Sequence, residues 1–174
     1  LISRCVESII ERTNYKKIEI LILDHESTES KVKDYLSKIK KIPCIRIFKV
    51  GGEFNFSKIN NYGARKAEGD ILLFLNNDIE ILESDWLSEM VSQSLRKEIG
   101  CVGAKLVYPD NSIQHGGVIV GLGGVAGHSH KHYSDENPGY KHRLQLVQNY
   151  LAVTAACLAV RKEIFDSVGG FNEI

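Results

Sequence analysis

The segment that most constrains the fold is an apolar run, Ile71–Leu75, which leads directly into Asn76, Asn77 and Asp78. A short, unbroken apolar run is typical of a strand that is buried on both faces. Polar residues at the carboxyl end of such a strand lie where open α/β sheets bind ligands. Oxygen ligands of this kind suit a hard divalent cation such as Mg²⁺ or Mn²⁺. A strand that ends in a polar turn explains the same residues, because Asn and Asp are common in turns.

The first half of the chain alternates between helical and strand-like patterns. The spacing of apolar residues predicts helices over 1–12, over 30–41, from Ser57 to about Ala67, and after a cap at Ser84 or Asp85. Strands are predicted at Ile18–Leu23, Cys44–Phe48, Ile71–Leu75 and Cys101–Leu106. This alternation predicts an α/β fold with a Rossmann-like, mostly parallel sheet flanked by helices.

The pattern is less regular after residue 106. Strands are predicted at Ile113–Val120 and over the long apolar run Asn149–Val160, with a short helix at Lys162–Val168. Gly121–Gly127 is rich in glycine, and 128–142 is polar and rich in histidine. With 174 residues and no linker-like segment, the chain is expected to form a single domain.

Composition excludes several classes of protein. The 22 basic and 22 acidic side chains cancel, which argues against a dominant nucleic-acid surface. No apolar run approaches the roughly 20 residues that span a bilayer. The four cysteines are far apart and form no CxxC pair, so we expect buried free thiols in a reducing compartment.

Both ends suggest an internal piece of a longer protein. The chain begins at Leu1 without Met, inside a predicted helix that no strand precedes, and it stops within the loop-like segment Gly169–Ile174. We therefore expect the domain to be truncated at both ends.

Two further positions in the first half are candidates for ligand binding. Asp24 follows the first strand as Asp78 follows the third, so a parallel sheet places both carboxylates at one edge. Asp24 can accept hydrogen bonds from a base or ribose, or it can form a turn that caps the next helix. Asn60 and Arg65 precede the third strand, where Arg65 or Lys66 can reach a phosphate; a solvated helix face is the alternative.

The second half holds weaker candidates. The glycines of 121–127 are not followed by the helix that a dinucleotide fingerprint requires, so a flexible loop is the better interpretation. His128, His130 and His132 alternate, which in a strand places them on one face. Their spacing matches no common zinc signature, and a polar loop near the substrate is favoured. Thr154 begins a run of small residues that either lines an acceptor-sugar pocket or allows tight packing.

Taken together, the motifs resemble family 2 glycosyltransferases of the GT-A fold, over essentially the whole chain. The order and composition of the motifs are similar to those of rhamnosyltransferase-like, O-antigen and cell-wall glycan transferases. The resemblance rests on the order of these motifs: Ile18-Glu-Ile-Leu-Ile-Leu-Asp24-His-Glu-Ser27, Asn60-Asn-Tyr-Gly63 to Ala67-Glu-Gly-Asp70, Asn76-Asn-Asp78, Gln114-His-Gly-Gly117, Val153-Thr-Ala-Ala-Cys157 and Val168-Gly-Gly-Phe-Asn-Glu173.

The resemblance implies roles for named residues. Residues 1–106 would form the nucleotide-sugar-binding half and residues 107–174 the acceptor-side half. Asp24 would bind the nucleotide base, and Asp78 would bind a divalent cation, Mn²⁺ or Mg²⁺, that bridges the diphosphate. The nucleotide-sugar site is expected to comprise Asp24, Asn60, Arg65, Asn76, Asn77 and Asp78. The acceptor side is expected to include Thr154, His128 and His130. Asn76 departs from the family, which usually has Asp at that position.

The implied reaction is an inverting transfer of a sugar from a nucleotide-diphosphate sugar to a hydroxyl of a glycan or lipid-linked acceptor. The family's carboxylate base would lie beyond Ile174, so we expect this piece to bind nucleotide weakly and to transfer sugar poorly. Family members usually work at the cytoplasmic face of a membrane. Two alternatives stay open, a nucleotidyltransferase and a non-catalytic nucleotide- or glycan-binding module, while the failed fingerprint disfavours an NAD-dependent redox protein.

Overall fold

The computed structural model describes residues 1–174, which fold into alternating helices and strands. The helices are α1 (Ile2–Arg12), α2 (Ser30–Ile39), α3 (Phe56–Lys66), α4 (Trp86–Ser94) and α5 (Lys162–Ser167). The strands are β1 (Ile20–His25), β2 (Ile45–Val50), β3 (Ile71–Leu75), β4 (Cys101–Gly103), β5 (Leu106–Val107), β6 (Ile113–His115), β7 (Val118–Val120), β8 (Ala126–His128) and β9 (Cys157–Arg161). Two short 3-10 helices lie at Leu122–Gly124 and Tyr140–His142.

The strands form four small sheets. β1 and β2 pair in parallel, with Ile20 opposite Ile45 and His25 opposite Val50. β3, β9 and β4 form a three-stranded sheet in that order. β5 pairs with β6 and β7 with β8, both antiparallel. The predicted α/β class, with parallel strands and flanking helices, is confirmed.

The chain divides into two compact units. The first unit comprises Leu1–Leu72, Asn77–Gly100 and Val160–Ile174. The second unit comprises Leu73–Asn76 and Cys101–Ala159. The expectation of a single domain over 1–174 stays a prediction.

The core of the first unit lies between the β1–β2 pair and the helices beside it. Val6 of α1, Ile22 of β1 and Leu36 of α2 are buried in one cluster with Ile39 and Ile45. Apolar side chains recur every three to four residues on α1 and α2, so each helix buries one face. Gly63 allows α3 to approach β1 closely, because a methyl group there would lie 2.8 Å from Cδ1 of Leu23.

Helix and strand ends differ from the predictions in ways that local hydrogen bonds explain. β1 continues through Asp24 to His25, because its pairing with β2 extends to Val50. The N-cap of α3 is Asn55, whose side chain accepts a hydrogen bond from the Lys58 N–H at 2.9 Å, so the prediction of Ser57 was wrong. α4 follows Asp85, whose side chain makes no capping hydrogen bond.

Three long predicted strands are interrupted. Ile113–Val120 breaks at Gly116-Gly117, where Gly117 has φ of 106°. Cys101–Leu106 splits into β4 and β5, and only Cys157–Arg161 of the last apolar run is a strand. Apolar character alone does not distinguish a strand from a packed loop.

Two burial predictions need correction. In β3, Leu72 and Phe74 are buried, whereas the alternate residues are only partly buried, so the two faces of the strand differ. Cys5 and Cys157 are buried thiols as predicted, but Cys44 is half-buried and Cys101 is exposed.

Candidate functional site

The polar residues that follow β3 lie on the surface. Asn76, Asn77 and Asp78 are all exposed. The Asp78 side chain makes no hydrogen bond or ion pair with the rest of the chain. An exposed carboxylate without a protein partner is available to a ligand or a cation.

Helix α1 anchors the loop that carries Asp78. Ile81 is buried, its N–H donates to Ser8 Oγ at 3.1 Å, and its carbonyl accepts from Arg12 Nη1 at 2.7 Å. Burial and the nearby negative charge of Asp78 raise the pKa of the Cys5 thiol to about 11. The same helix therefore fixes the loop and holds an uncharged thiol close to the Asp78 carboxylate.

Asp24 lies near the end of β1 and is half-buried. Its Oδ1 accepts a hydrogen bond from the Ser27 N–H at 3.1 Å, so it forms the turn that we weighed as an alternative. It does not cap α2, whose N-cap is Glu29. Oδ2 of Asp24 has no hydrogen-bond partner in the chain and remains available to a ligand.

A second loop lies beside the end of β1. The His25 ring donates through Nε2 to the Gly52 carbonyl at 2.9 Å. His25 also contacts Phe54 edge-to-face, with 5.6 Å between the ring centroids, although Phe54 is 68% exposed. No local sequence pattern signals this contact, because His25 and Phe54 belong to separate segments of the chain.

The two candidates on α3 have different surroundings from those we expected. Asn60 donates through Nδ2 to the Phe56 carbonyl of its own helix at 2.8 Å. Arg65 is exposed and makes no ion pair. Both observations agree with the solvated helix face that we weighed as an alternative. Their assignment to the nucleotide-sugar site stays a prediction.

The neighbouring Asn61 is the buried polar residue of α3. Its Oδ1 accepts from the Phe171 N–H at 2.9 Å, and its Nδ2 donates to the Phe171 carbonyl at 2.9 Å and to Glu173 Oε1 at 2.8 Å. Asn61 thus holds the loop that follows α5. Helical periodicity contained the signal, because Asn61 lies three residues before Ala64 on the buried face.

The second unit contains a polar cleft of about 280 Å³. Three predicted site residues, Asn76, His128 and Thr154, lie in its wall, and His130 does not. The full lining is Asn76, Leu106, Tyr108, Gln114, His115, His128, Lys131, Thr154 and Ala156. No carboxylate lines the cleft, whose one cationic side chain is Lys131.

The three alternating histidines do not share one face of a strand. Only His128 belongs to a strand, because β8 ends there. His130 and His132 both have positive φ, 54° and 66°, in the turn that follows. His130 faces Ser129 instead, with 2.6 Å between its Nδ1 and Ser129 Oγ.

His115 lies beside His128 in the second unit. The Nδ1 atoms of the two rings are 2.9 Å apart, and the rings meet edge-to-face. His115 is only 1% exposed. Burial, together with the charge of His128, lowers the pKa of His115 to about 4, so its ring is neutral near pH 7.

The run of small residues around Thr154 is not a strand, which corrects the prediction. Thr154 Oγ1 accepts from the Ala156 N–H at 3.3 Å, and the Asn76 N–H donates to the Ala156 carbonyl at 2.9 Å. Tight packing occurs one residue earlier, where a methyl group at Gly103 would lie 2.6 Å from Cβ of Val153. The segment therefore both packs closely and lines the cleft.

Solved structures of glycosyltransferases share this fold. The crystal structure of GalNAc-T7 with UDP, GalNAc and Mn²⁺ matches with a TM-score of 0.73 at 20% sequence identity, over 99% of this chain and 34% of that one. The mannosyltransferase PcManGT from Pyrobaculum calidifontis, in complex with GDP-Man and Mn²⁺, matches with a TM-score of 0.68 at 16% identity, over 99% of this chain and 44% of that one. The predicted GT-A fold is therefore confirmed.

Sequence comparison gives the family. An uncharacterized protein of Sinorhizobium fredii, y4gI, is 48% identical over 169 residues, which are 97% of this chain and 19% of that protein. The O-antigen biosynthesis protein RfbC of Myxococcus xanthus is 37% identical over 177 residues, 99% of this chain and 14% of that protein. This chain thus spans less than a fifth of either relative. The model of the family described as glycosyl transferase family 2 matches residues 1–169, and the chain belongs to that family.

Proposed function

We propose that the protein containing this chain transfers a sugar from a nucleotide-diphosphate sugar to an acceptor hydroxyl, with inversion at the anomeric carbon. The observation that carries the proposal is the exposed, unpaired Asp78, held directly after β3 in a member of this family. A carboxylate at the carboxyl edge of an α/β sheet is well placed to meet a diphosphate through a cation.

The residues around Asp78 fit a divalent cation. Asp78 offers a carboxylate, and Asn77 beside it offers an amide oxygen, both of which are hard donors that suit Mg²⁺ or Mn²⁺. The chain contains no cluster of three His, Cys, Asp or Glu side chains that could hold a metal ion by itself. Mg²⁺ is commonly held by one or two carboxylates together with substrate phosphates, so a partial protein site agrees with this use. When bound, the cation offsets negative charge on the departing diphosphate.

The first unit supplies the proposed nucleotide contacts. Asp24 keeps one carboxylate oxygen unpaired at the end of β1, where it can accept hydrogen bonds from a base or ribose. The loop at Gly51-Gly52, which His25 holds beside it, adds the exposed ring of Phe54. We also propose that residues 1–106 bind the nucleotide-sugar donor and that residues 107–174 bind the acceptor.

The acceptor is proposed to be a growing cell-surface glycan or a lipid-linked precursor. The 37% identity to a protein named for O-antigen biosynthesis supports an acceptor of this kind. Thr154 and His128 in the cleft of the second unit are the proposed acceptor-side residues. We also propose that the reaction takes place at the cytoplasmic face of a membrane. None of the helices in the structure combines the length and apolarity needed to span a bilayer.

The catalytic base is proposed to lie beyond Ile174. An inverting transfer needs a carboxylate that removes the acceptor proton. Glu173 is the last acidic residue of the chain, and its Oε1 accepts a hydrogen bond from buried Asn61. That contact gives Glu173 a structural role, so we do not assign the base to Glu173.

The donor assignment is tested by titrating the chain with UDP, dTDP and GDP in the presence of Mn²⁺ and measuring heat. We expect one nucleotide to bind most tightly and Asp24→Ala to weaken that preference. The matched control is Asp34→Ala on α2. If the full-length protein also binds none of the three nucleotides, the donor site is assigned wrongly. If the full-length protein binds the nucleotide but releases no nucleoside diphosphate with any acceptor, the result favours the non-catalytic binding module.

A further inference from the structure

Both ring nitrogens of His115 have partners inside the second unit. Nε2 lies 3.5 Å from the backbone nitrogen of Thr154, whose N–H points to it. Nδ1 lies 2.9 Å from Nδ1 of His128. Because a backbone N–H can only donate, Nε2 of His115 is an acceptor.

These partners determine the tautomers of the pair. A neutral imidazole carries one N–H, so a His115 ring that accepts at Nε2 carries its proton on Nδ1. That proton is donated to Nδ1 of His128, which therefore accepts. A neutral His128 then carries its own proton on Nε2, the one nitrogen of the pair that the chain leaves without a partner. His128 is half-buried and lines the cleft, whereas His115 is almost fully buried behind it.

The rest of the cleft wall also offers donors and positive charge. Lys131 is exposed and forms no ion pair with any carboxylate. The side chain of Gln114 adds amide N–H groups, and Tyr108 adds a hydroxyl. A concave site with an ammonium group, N–H donors and no carboxylate favours an anionic ligand rich in oxygen.

We propose that this cleft binds a phosphoryl group through Nε2 of His128 and Nζ of Lys131, and that His115 is the positioning residue that sets the tautomer of His128. The proposal rests on the proposed function for the source of the ligand, because both a nucleotide-sugar donor and a phosphate-linked acceptor carry such a group. The tautomer of His128 follows from the structure alone.

The tautomer is tested by nitrogen-15 NMR of the labelled chain near neutral pH. The two-bond couplings of the ring nitrogens are expected to show His128 protonated on Nε2 and His115 on Nδ1. His115→Phe is expected to remove the preference of His128, and His115→Asn, which keeps an amide donor, to restore part of it. His142→Gln, an exposed histidine of the same unit, is the control. A His128 ring protonated on Nδ1 in the unaltered chain would overturn the proposal.

Ligand binding is tested with inorganic pyrophosphate in the absence of metal ions. We expect the Nε2 resonance of His128 to shift and the affinity to fall about tenfold or more in Lys131→Met, because a charge-assisted hydrogen bond is lost. Lys131 is exposed, so this variant keeps the test valid if His115→Phe fails to fold. Lys141→Met is the matched control and should bind normally. A His128 resonance that does not respond to pyrophosphate, or an equal response in Lys131→Met, would overturn the proposal.

The source of the phosphoryl group is distinguished by adding pyrophosphate to protein saturated with UDP and Mg²⁺. Loss of the pyrophosphate response assigns the cleft to the donor diphosphate. A persistent response assigns it to a phosphate on the acceptor. If UDP does not bind but pyrophosphate still shifts His128, the proposed donor site fails while the anion site stands.

Discussion

Asn61 pairs with the backbone of Phe171 as a neighbouring strand would, since it accepts from the N–H and donates to the carbonyl, both at 2.9 Å. Asn61 is only 6% exposed. Gly170 is required beside it, because a methyl group there would lie 2.6 Å from Asn61 Oδ1 and the residue has φ of 77°. The loop leading to the end of the chain is thus held by a side chain more than a hundred residues earlier in the sequence.

Asn61→Asp should destabilise the fold. The carboxylate keeps the size of the amide but cannot donate to the Phe171 carbonyl, and it places a negative charge against Glu173. We expect a loss of about 2–3 kcal/mol in the free energy of unfolding, as for other buried groups that lose their partners. Urea unfolding followed by circular dichroism measures it. Asn60→Asp, one residue away on the partly exposed face of α3, should cost much less; equal losses would refute the role of Asn61.

Gly63→Ala should also destabilise, although alanine usually favours a helix. The added methyl group would lie 2.8 Å from Cδ1 of Leu23, so α3 or β1 must shift. We expect a cost of about 1–3 kcal/mol, typical of overpacking. Gly100→Ala is the control, because no atom lies within 4 Å of the added methyl group. Thermal unfolding should show a lower Tm for the first variant only, and an unchanged Tm in both would contradict the close approach of α3 to β1.

Arg161 should stabilise the fold by binding carbonyl groups at the C-terminal end of α4. Its guanidinium donates to the carbonyls of Ser94, Arg96 and Lys97, the last two at 2.7 and 3.4 Å. Arg161→Met leaves these carbonyls without the cation, and we expect about 2 kcal/mol of destabilisation in urea. Arg96→Met removes a mostly exposed cation of the same turn and should change stability little. A larger loss in the control than in Arg161→Met would refute this assignment.

The stability of the chain should fall as the pH is lowered from about 6.5 to about 4. The pKa of His115 falls from 6.5 in the unfolded chain to about 4 in the fold, so the unfolded state binds more protons within this range. The stabilisation is complete above pH 6.5 and is lost as the pH falls toward 4; its size is about 3 kcal/mol. His115→Asn should flatten this part of the pH profile. A profile identical to that of the unaltered chain would show that His115 does not cause it.

The elements of the first half were predictable because their signals are local. Short windows of sequence show the apolar spacing of α1 and α2 and the unbroken apolar run of β3. The surroundings of individual side chains were not predictable in the same way. The helical period distinguishes buried Asn61 from its neighbour Asn60, but the partner of Asn61, Phe171, is not visible in the sequence.

The second half was harder to predict because its contacts are non-local and its backbone is irregular. The alternation of His128, His130 and His132 does not reveal the positive φ at His130 and His132, which turns the chain after β8. The partner of His128 is His115, which lies 13 residues earlier in another strand. The apolar segment before β9 resembles a strand in composition. Its Val153 packs against Gly103, and a buried strand favours the same β-branched residue type.

The central claim is that Asp78 carries a divalent cation for a nucleotide diphosphate, and manganese-dependent binding tests it most directly. UDP, dTDP or GDP, whichever binds best, is titrated calorimetrically with and without Mn²⁺ into the unaltered protein, Asp78→Ala and Glu83→Ala. Glu83 is an exposed carboxylate of the same loop and serves as the control. We expect Mn²⁺ to tighten binding in the unaltered protein and in Glu83→Ala, and Asp78→Ala to lose that gain. The titration is repeated in the full-length protein. If Mn²⁺ tightens binding equally in the unaltered protein, Asp78→Ala and Glu83→Ala, the assignment of the cation to Asp78 is contradicted.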